Sequence, residues 1–418
     1  MRNGGLQGGF INKLNVHVNH KNMKKVIIIS TSFFETSIPL AKHISEFMDV
    51  SFYALFSSKF LNPPNFDVSN FDSLPYNRII SFKESEVGGK HYVSDYLSDS
   101  RLNLNLIVFS KNFFKKIFVL LKLSREISRE KPDYIHFIGY NYLYLLLYIM
   151  FWRFKLIHSF HEVSFKRIKD FKRFKIKDWL NEFFMKVQIS FCIFKKCKLI
   201  FHSENVASVF KTKYKNCLMR VIPFGLFDIF KYTKHKQPIK NDLLKNNYYL
   251  FFGYIRDYKG ADILVDAIRK LNAQNHVVKV IIAGKNSAKL SQNELPNNIK
   301  LIDKYLEDGE LSFLVSNCRA VIVPHRKASQ SGITNTAYVF NKPVIASDVP
   351  GVCDAVYEKT TGLIFKSEDS SDLANKIIEL DNNEELYNSM VDNISKRVKM
   401  EDIDWVKIAT QTVMYYEL

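Results

Sequence analysis

The sequence predicts an α/β protein of two doubly wound, Rossmann-like domains facing across a cleft. Three observations carry that expectation. Short apolar β-type runs alternate with helical stretches through nearly all of the 418 residues, a rhythm that argues for parallel sheets with helices on both faces. The rhythm breaks once, over the polar, Lys- and Asn-rich stretch Phe227 to Asn247, and then restarts. The length is too great for one ordinary core and suits about two or three domains.

Along the chain, residues 1–22 are rich in Gly, Asn and His and have no apolar signal core, so they read as a tail and not as a secretory signal. The first domain is expected over 23–226. Lys25–Ser30 is its first apolar β run, and Ile38–Met48 follows with helical spacing. Val50–Leu55 and Arg78–Phe82 read as strands, and Phe113–Arg129 as a helix with apolar residues at intervals of three and four. Pro132–Ile138, Phe154–Ser159 and Leu199–His202 are further strands. Residues 227–247 form the linker.

The second domain is expected over 248–395. Its strands are Tyr248–Gly253, Val278–Gly284, Ile299–Ile302, Ala320–Pro324 and Pro343–Ala346. Its helices are Gly260–Leu271, Glu307–Ser316 and Ile333–Phe340. Residues 396–418 supply a C-terminal helix.

Composition narrows the classes. Hydrophobic residues make up 47% and charged residues 24%, values of a globular chain that exclude wholesale disorder. The net charge of +18 favours anionic partners: nucleic acid, an acidic membrane surface or phosphorylated substrates. Cys192, Cys197, Cys217, Cys318 and Cys353 are odd in number and lack metal-site spacing, which suits reduced thiols in a cytosol. The apolar run Tyr142–Trp152 ends at Arg153 and is short of the roughly 20 residues needed to span a bilayer. It reads as a buried helix or as one that dips partly into a membrane.

In doubly wound sheets ligands sit beyond the carboxyl ends of the strands. The loop after Tyr248–Gly253 carries Arg256 and Lys259 ahead of a helix start at Gly260. Glycine at the strand end lets a ligand approach the backbone, and two cations beside a helix N-terminus suit a diphosphate. The plainer alternative is a solvated basic loop. The loop after Ala320–Pro324 is small and polar, and opens a helix with Ser331 and Thr334 hydroxyls nearby. It suits a phosphate or a sugar rim, or is an ordinary helix cap.

These residues resemble a known family. FFGYIRDYKGADILVDAI, VIIAGKN, the long run from IKLIDKYLEDGE to KPVIASDVPGVCDAV, and TGLIF follow one another between about Tyr248 and Phe365. In that order they look like the nucleotide-sugar-binding domain of retaining group-1 (family 4) glycosyltransferases of the bacterial polysaccharide-synthesis type. Pro132–His136, Phe160-His161-Glu162, Phe201–Glu204 and Val221–Gly225 resemble segments of that family's first domain. Ile403-Asp404-Trp405 resembles the start of its C-terminal helix, which crosses back.

The resemblance implies the GT-B fold and transfer of a sugar from a nucleotide-sugar to a saccharide or lipid-linked acceptor, with retention, in surface polysaccharide or glycolipid assembly. It places Gly253, Arg256, Lys259, Gly284, Ser331, Gly332, Ile333, Thr334 and Thr336 around the donor. His161, Arg256 and Lys259 become the catalytic candidates. Alone, His161 reads more readily as a structural histidine, His136 and His202 both read as structural, and Glu162 either orients His161 or faces the cleft. No cofactor or metal is implied, and no Asp-x-Asp stands at a strand end. Two departures stand out. The family's paired glutamates fall near Ala328 or Ser329 and at Thr336, and Ser30–Glu35 replaces a glycine pair. They motivate the alternative of an inactive membrane-associated scaffold. A nucleotide-sugar epimerase on the same fold would need an acidic set in the cleft.

Lys166 to Lys198 is basic, with interleaved aromatics at helical spacing. Lys172, Arg173, Lys175, Lys177 and Trp179 would bind the anionic inner face of a plasma membrane, making the protein cytoplasmic and peripheral. The alternative is a helix packed on the first domain with its Lys face solvated. No nucleic-acid motif accompanies the segment, and nucleic acid is not expected as a partner.

Overall fold

A computed structural model describes residues 23–57, 74–85, 87, 91–161, 176–215, 217–240, 247–328, 332–400 and 403–418. The strands of the first sheet are β1 (Lys25–Ser30), β2 (Asp49–Ser57), β3 (Ile79–Ser81), β4 (Asn103–Phe109), β5 (Tyr134–Ile138), β6 (Lys155–Phe160), β7 (Lys198–Phe201) and β8 (Met219–Val221). They lie in the order β3-β4-β2-β1-β5-β6-β7-β8. All pairs are parallel except β3 with β4. The apolar runs explain the strands: Val26 to Ile29 and Leu104 to Val108, apart from Asn105, are buried almost completely, as strands covered on both faces must be.

Its helices are α1 (Phe34–Ile44), α2 (Tyr92–Tyr96), α3 (Phe113–Glu130), α4 (Tyr144–Met150), α5 (Ile176–Phe194) and α6 (Glu204–Lys213). Side chains set their starts. Asn112 accepts from the Lys115 N–H at 3.0 Å and Ser203 from the Val206 N–H at 3.3 Å. Lys131, at φ 49°, ends α3 in the left-handed region.

The second sheet holds β9 (Tyr248–Phe252), β10 (Lys279–Ala283), β11 (Ile299–Ile302), β12 (Cys318–Val323), β13 (Val344–Ser347) and β14 (Gly362–Phe365), with α7 (Ala261–Ala273), α8 (Asp308–Asn317), α9 (Gly332–Val339), α10 (Ser370–Asp381) and α11 (Glu384–Met400). The order β11-β10-β9-β12-β13-β14 is all parallel. In both sheets the strand order reverses beside the first strand, at β1/β5 and at β9/β12. These switch points are where such sheets open a crevice.

The final helix, α12 (Trp405–Glu417), leaves the second domain and lies along α1 of the first. Tyr416 hydroxyl bonds His136 Nδ1 at 2.7 Å, and Lys198 Nζ donates to the Tyr416 carbonyl at 2.9 Å. The stretch expected as a plain linker is ordered at its start. Asp228–Tyr232 makes a 3₁₀ turn that buries Ile229 and Phe230, and Thr233 donates to Ser312 at 2.7 Å. Its two apolar residues dock it against α8 where its lysines alone would have left it solvated. Tyr92 also joins the domains, donating to Asp308 at 2.6 Å.

Candidate active site

Between the carboxyl ends of the two sheets lies a cavity of about 380 Å³, within the usual size of a small-molecule site. The second domain supplies its floor. Gly253 (φ 101°) directly follows β9 and Gly284 (φ 145°) directly follows β10, and both require the freedom of glycine. A Cβ on Gly253 would lie 3.1 Å from Lys259 Nζ, so the amine stands directly over this backbone.

Lys259 closes the 3₁₀ turn Asp257–Lys259. Burial and, less strongly, the Arg256 guanidinium pull its amine down to about 8. The turn is held from behind by Arg326, which forks onto Asp262 at 2.6 and 2.8 Å, bonds Glu368 at 2.7 Å and donates to the Asp257 carbonyl at 2.6 Å. Gly260 (φ 68°) lets the turn press on β12: a Cβ there would meet the Pro324 oxygen at 1.9 Å.

The first domain supplies the roof. His161 follows β6 and lies parallel to the Phe33 ring, with centroids 3.6 Å apart and an angle of 5°. Phe224 stacks nearby at 4.8 Å. Phe33 itself sits at φ 59°, a costly conformation for a bulky residue, and the stack on His161 holds it there. Burial, with smaller contributions from His202 and other histidines, drops His161 well below the ordinary histidine range. It is therefore a neutral imidazole, and among the described residues its Nε2 has no hydrogen-bond partner. Glu35, on the first turn of α1, lines the same cavity. Burial is the main cause that lifts its carboxyl to about 7.

Seven of the sequence-derived candidates line this one cavity: His161, Gly253, Lys259, Gly284, Gly332, Ile333 and Thr336. Arg256 does not. It is exposed, with its guanidinium 4.6 Å above the Tyr254 ring. Thr334 lies beneath the floor, fully buried, and its hydroxyl lacks a partner among the described residues. Ser331, Ser329 and Glu162 fall outside the described residues, as do Lys172, Arg173 and Lys175. Lys177 is on α5, and Trp179 is exposed there, stacked on Phe183. At the positions of the family's acid pair, the Thr336 hydroxyl donates back to the Gly332 carbonyl at 3.0 Å and Ala328 offers no polar group.

Sequence reasoning missed Glu35, Tyr254, Lys285, Tyr305 and Asn335, all of which line the cavity. Each stands just past a strand end or on the helix that follows, so position was the available signal. His325 was passed over as well. It is buried beside Lys259, and burial with that amine brings it to about 3. His136 is structural, bonded to Tyr416 and to Ser159 at 2.8 Å, and His202 Nδ1 bonds the Ile222 carbonyl at 2.9 Å. Among the described residues no three His, Cys, Asp or Glu side chains cluster at metal-ligating distance.

Two facing Rossmann-like domains, a ligand-sized cleft at their switch points and a returning C-terminal helix define the GT-B fold. The likeness to solved structures agrees: Anabaena HepE, solved with UDP and glucose, superposes with a TM-score of 0.62 at 15% identity, over 95% of this chain and 100% of that one. Residues 233–397 match the model of the family glycosyl transferases group 1. Among curated proteins, an uncharacterized glycosyltransferase of Methanocaldococcus jannaschii is 33% identical over 150 residues, 35% of this chain and 42% of that protein. O-antigen chain mannosyltransferase C of Escherichia coli is 29% identical over 188 residues, 42% of this chain and 48% of that protein. The chain thus spans less than half the length of these relatives.

Proposed function

We propose that the protein is a glycosyltransferase. It moves a sugar from a nucleotide-sugar to a saccharide or lipid-linked saccharide acceptor, with retention, in surface polysaccharide or glycolipid assembly. One observation carries this reading: the half-buried Lys259 amine stands over the Gly253 backbone, beside Gly284 and in one interdomain cleft with a neutral His161. As the bond from the sugar C1 to the diphosphate breaks, negative charge grows on the leaving oxygens. Lys259 meets that charge with no reorganisation. The acceptor oxygen bonds C1 on the same face, and its proton passes to the leaving phosphate. His161 Nε2, buried without a partner among the described residues, bonds a sugar hydroxyl once the entering donor displaces what covers it. Arg256 reaches the diphosphate by leaving its stack on Tyr254, and the polar rim at Ser331 and Thr336 contacts the donor. The relatives' names, an O-antigen mannosyltransferase among them, and HepE's UDP support the substrate class.

The protein is placed in the cytoplasm against the inner face of the plasma membrane, with Lys172, Arg173, Lys175 and Lys177 as contacts to anionic lipid. No described helix is long and apolar enough to cross a bilayer.

The missing acid pair favours a second reading, a scaffold without turnover. One experiment separates them. The protein is incubated with UDP-, GDP- and dTDP-sugars and an inner-membrane lipid extract, and released nucleoside diphosphate is measured. Lipid-dependent release from one donor supports transfer. No release from any donor, with nucleotide binding retained in calorimetry, supports the scaffold.

A further inference from the structure

The helices α3, α4 and α5 lie side by side on one face of the first sheet. Trp152, just after α4, packs on Phe191 and Phe194 of α5 with centroids 5.6 and 5.9 Å apart. The inner sides of these helices are buried, through Leu120 and Leu123, Leu147 and Tyr148, and Met185 and Ile189. Their outer sides mix polar residues, Lys122, Arg125 and Arg129 of α3 among them, with large apolar ones that a solvated layer would not carry. About half of the exposed large apolar side chains of the described residues belong to this layer. On α3, Phe114 is 80% exposed and Phe118 69%. On α5, Trp179 and Phe183 are exposed, and Phe194 at its end is 77% exposed. Isolated exposed apolar residues are ordinary, but a contiguous aromatic face marks an interaction surface.

Cations surround this face. Lys115 stands exposed on α3 and Lys196 just beyond α5, while the exposed Lys122 and Lys186 pair with Glu126 at 3.8 Å and Glu182 at 3.9 Å on their own helices. At one end, where β5, β6 and β7 begin, a cavity of about 360 Å³ is lined by Arg153, Lys155, Lys195, Lys196 and Lys198. Lys195 Nζ lies 5.1 Å above the exposed Trp152 ring, so the cationic cavity and the aromatic face are continuous. Glu417 is the acidic side chain among the lining residues, and it is already paired with Lys24.

We propose that the outer face of α3, α4 and α5, together with this cationic cavity, is the docking surface for an anionic phospholipid bilayer. Phe114, Phe118, Trp152 and Phe194 would enter the headgroup region, where aromatic rings partition well. The cations of the cavity would meet lipid phosphates. Charge complementarity selects this occupant over a second copy of the chain, because a twofold interface would set the same cations against one another. The surface names the lipid partner of the proposed peripheral enzyme. It is measured without any sugar donor, so failure of the transfer reading leaves it standing.

Flotation of the full chain with vesicles tests it. Binding is expected to phosphatidylcholine vesicles containing phosphatidylglycerol, to weaken with salt, and to be absent from phosphatidylcholine alone. Each lysine near such a surface adds about fivefold to the partition, so Lys195→Gln/Lys196→Gln should weaken it about 30-fold. Phe114→Ser/Phe118→Ser should also release the protein, and Lys279→Gln/Lys289→Gln on the second domain should leave binding unchanged. All these side chains are solvent-facing or at the surface, and unchanged thermal midpoints show the variants folded. Loss of binding in the first two variants alone supports the surface. Absent binding by the parent chain, equal loss in the second-domain variant, or full binding by the Lys195/Lys196 and Phe114/Phe118 variants overturns it.

Discussion

Gly284 stands against the backbone of Gly253: a Cβ on Gly284 would lie 1.8 Å from the Gly253 carbonyl oxygen. The Gly253 N–H in turn donates to the Ala283 carbonyl at 3.0 Å. The ends of β9 and β10 are thus locked at one spacing, and Lys259 stands on the platform they form. Gly284→Ala both collides with backbone and holds alanine at φ 145°, where strain of about 1–3 kcal/mol is usual. The expected outcome is a lowered thermal midpoint with loss of nucleoside diphosphate affinity in calorimetry.

Lys259 should give diphosphate binding a pH dependence of its own. The free amine is charged below about 8 and neutral above it. A bound diphosphate stabilises the charged form, so affinity stays level below pH 8 and falls as the pH rises beyond it, by up to about tenfold per unit. Lys259→Arg keeps its charge throughout and should flatten the profile over that window. Lys259→Met should lower turnover by about 10²–10³, the effect of removing one preplaced donor to a developing anion. Nucleotide calorimetry across pH 6.5–9.5, about 1.5 units either side of the amine, reads the first effect, and single-turnover kinetics the second.

Much of this architecture was legible because the periods were strong. Ile299–Ile302 is a strand in both readings, and the three second-domain helices expected from sequence agree within about two residues, the usual uncertainty of helix ends, whereas β14, α10 and α11 were not expected. β4 escaped notice because Asn103 and Asn105 interrupt its apolar run, although Leu104 to Val108 pair with β2 along their length. α1 was expected to begin at Ile38, yet it starts at Phe34, since the stack of Phe33 on His161 fixes a turn that local sequence does not announce. For the same reason nothing in the local sequence places Glu35 on a helix. Gly253, Lys259 and Gly284 of the second domain were found from strand-end loops, though their neighbours Tyr254, Lys285, Tyr305 and Asn335 were not, whereas the stacking around His161 depends on Phe33 and Phe224, which stand far from it in sequence on either side. Such contacts carry no local signal.

Glu35 makes stability depend on pH. Its carboxyl is raised from the ordinary 4.5 to about 7, chiefly by burial. The folded chain therefore holds this proton more tightly than the unfolded chain. Stability contributed by the group is present below about 4.5, falls as the pH climbs to about 7 and levels off above, a loss of about 3 kcal/mol at most. Glu35→Gln keeps the shape without the charge. Thermal unfolding should show the variant more stable than the parent at pH 8 and the difference vanishing near pH 4.5. An unchanged slope between those values would remove Glu35 from the account.

Trp405 ties the returning helix to the roof of the cleft. Its Nε1 donates to the Leu226 carbonyl at 2.7 Å, and its ring covers Gly225 so closely that a Cβ there would lie 2.4 Å away. From this anchor α12 runs along α1, the helix that begins beside Phe33 and carries Glu35. Trp405→Ala empties a buried site and should cost about 3–5 kcal/mol. Trp405→Phe keeps most of the ring but strands the Leu226 carbonyl, at about 1–3 kcal/mol. Because α12 bears on the first domain and Lys259 belongs to the second, the Phe variant should bind nucleoside diphosphate normally in calorimetry. Its acceptor KM should rise as α1 loses support. A donor affinity that falls in parallel would instead mean that α12 sets the spacing of the two domains, so that the whole cleft opens when the anchor is cut.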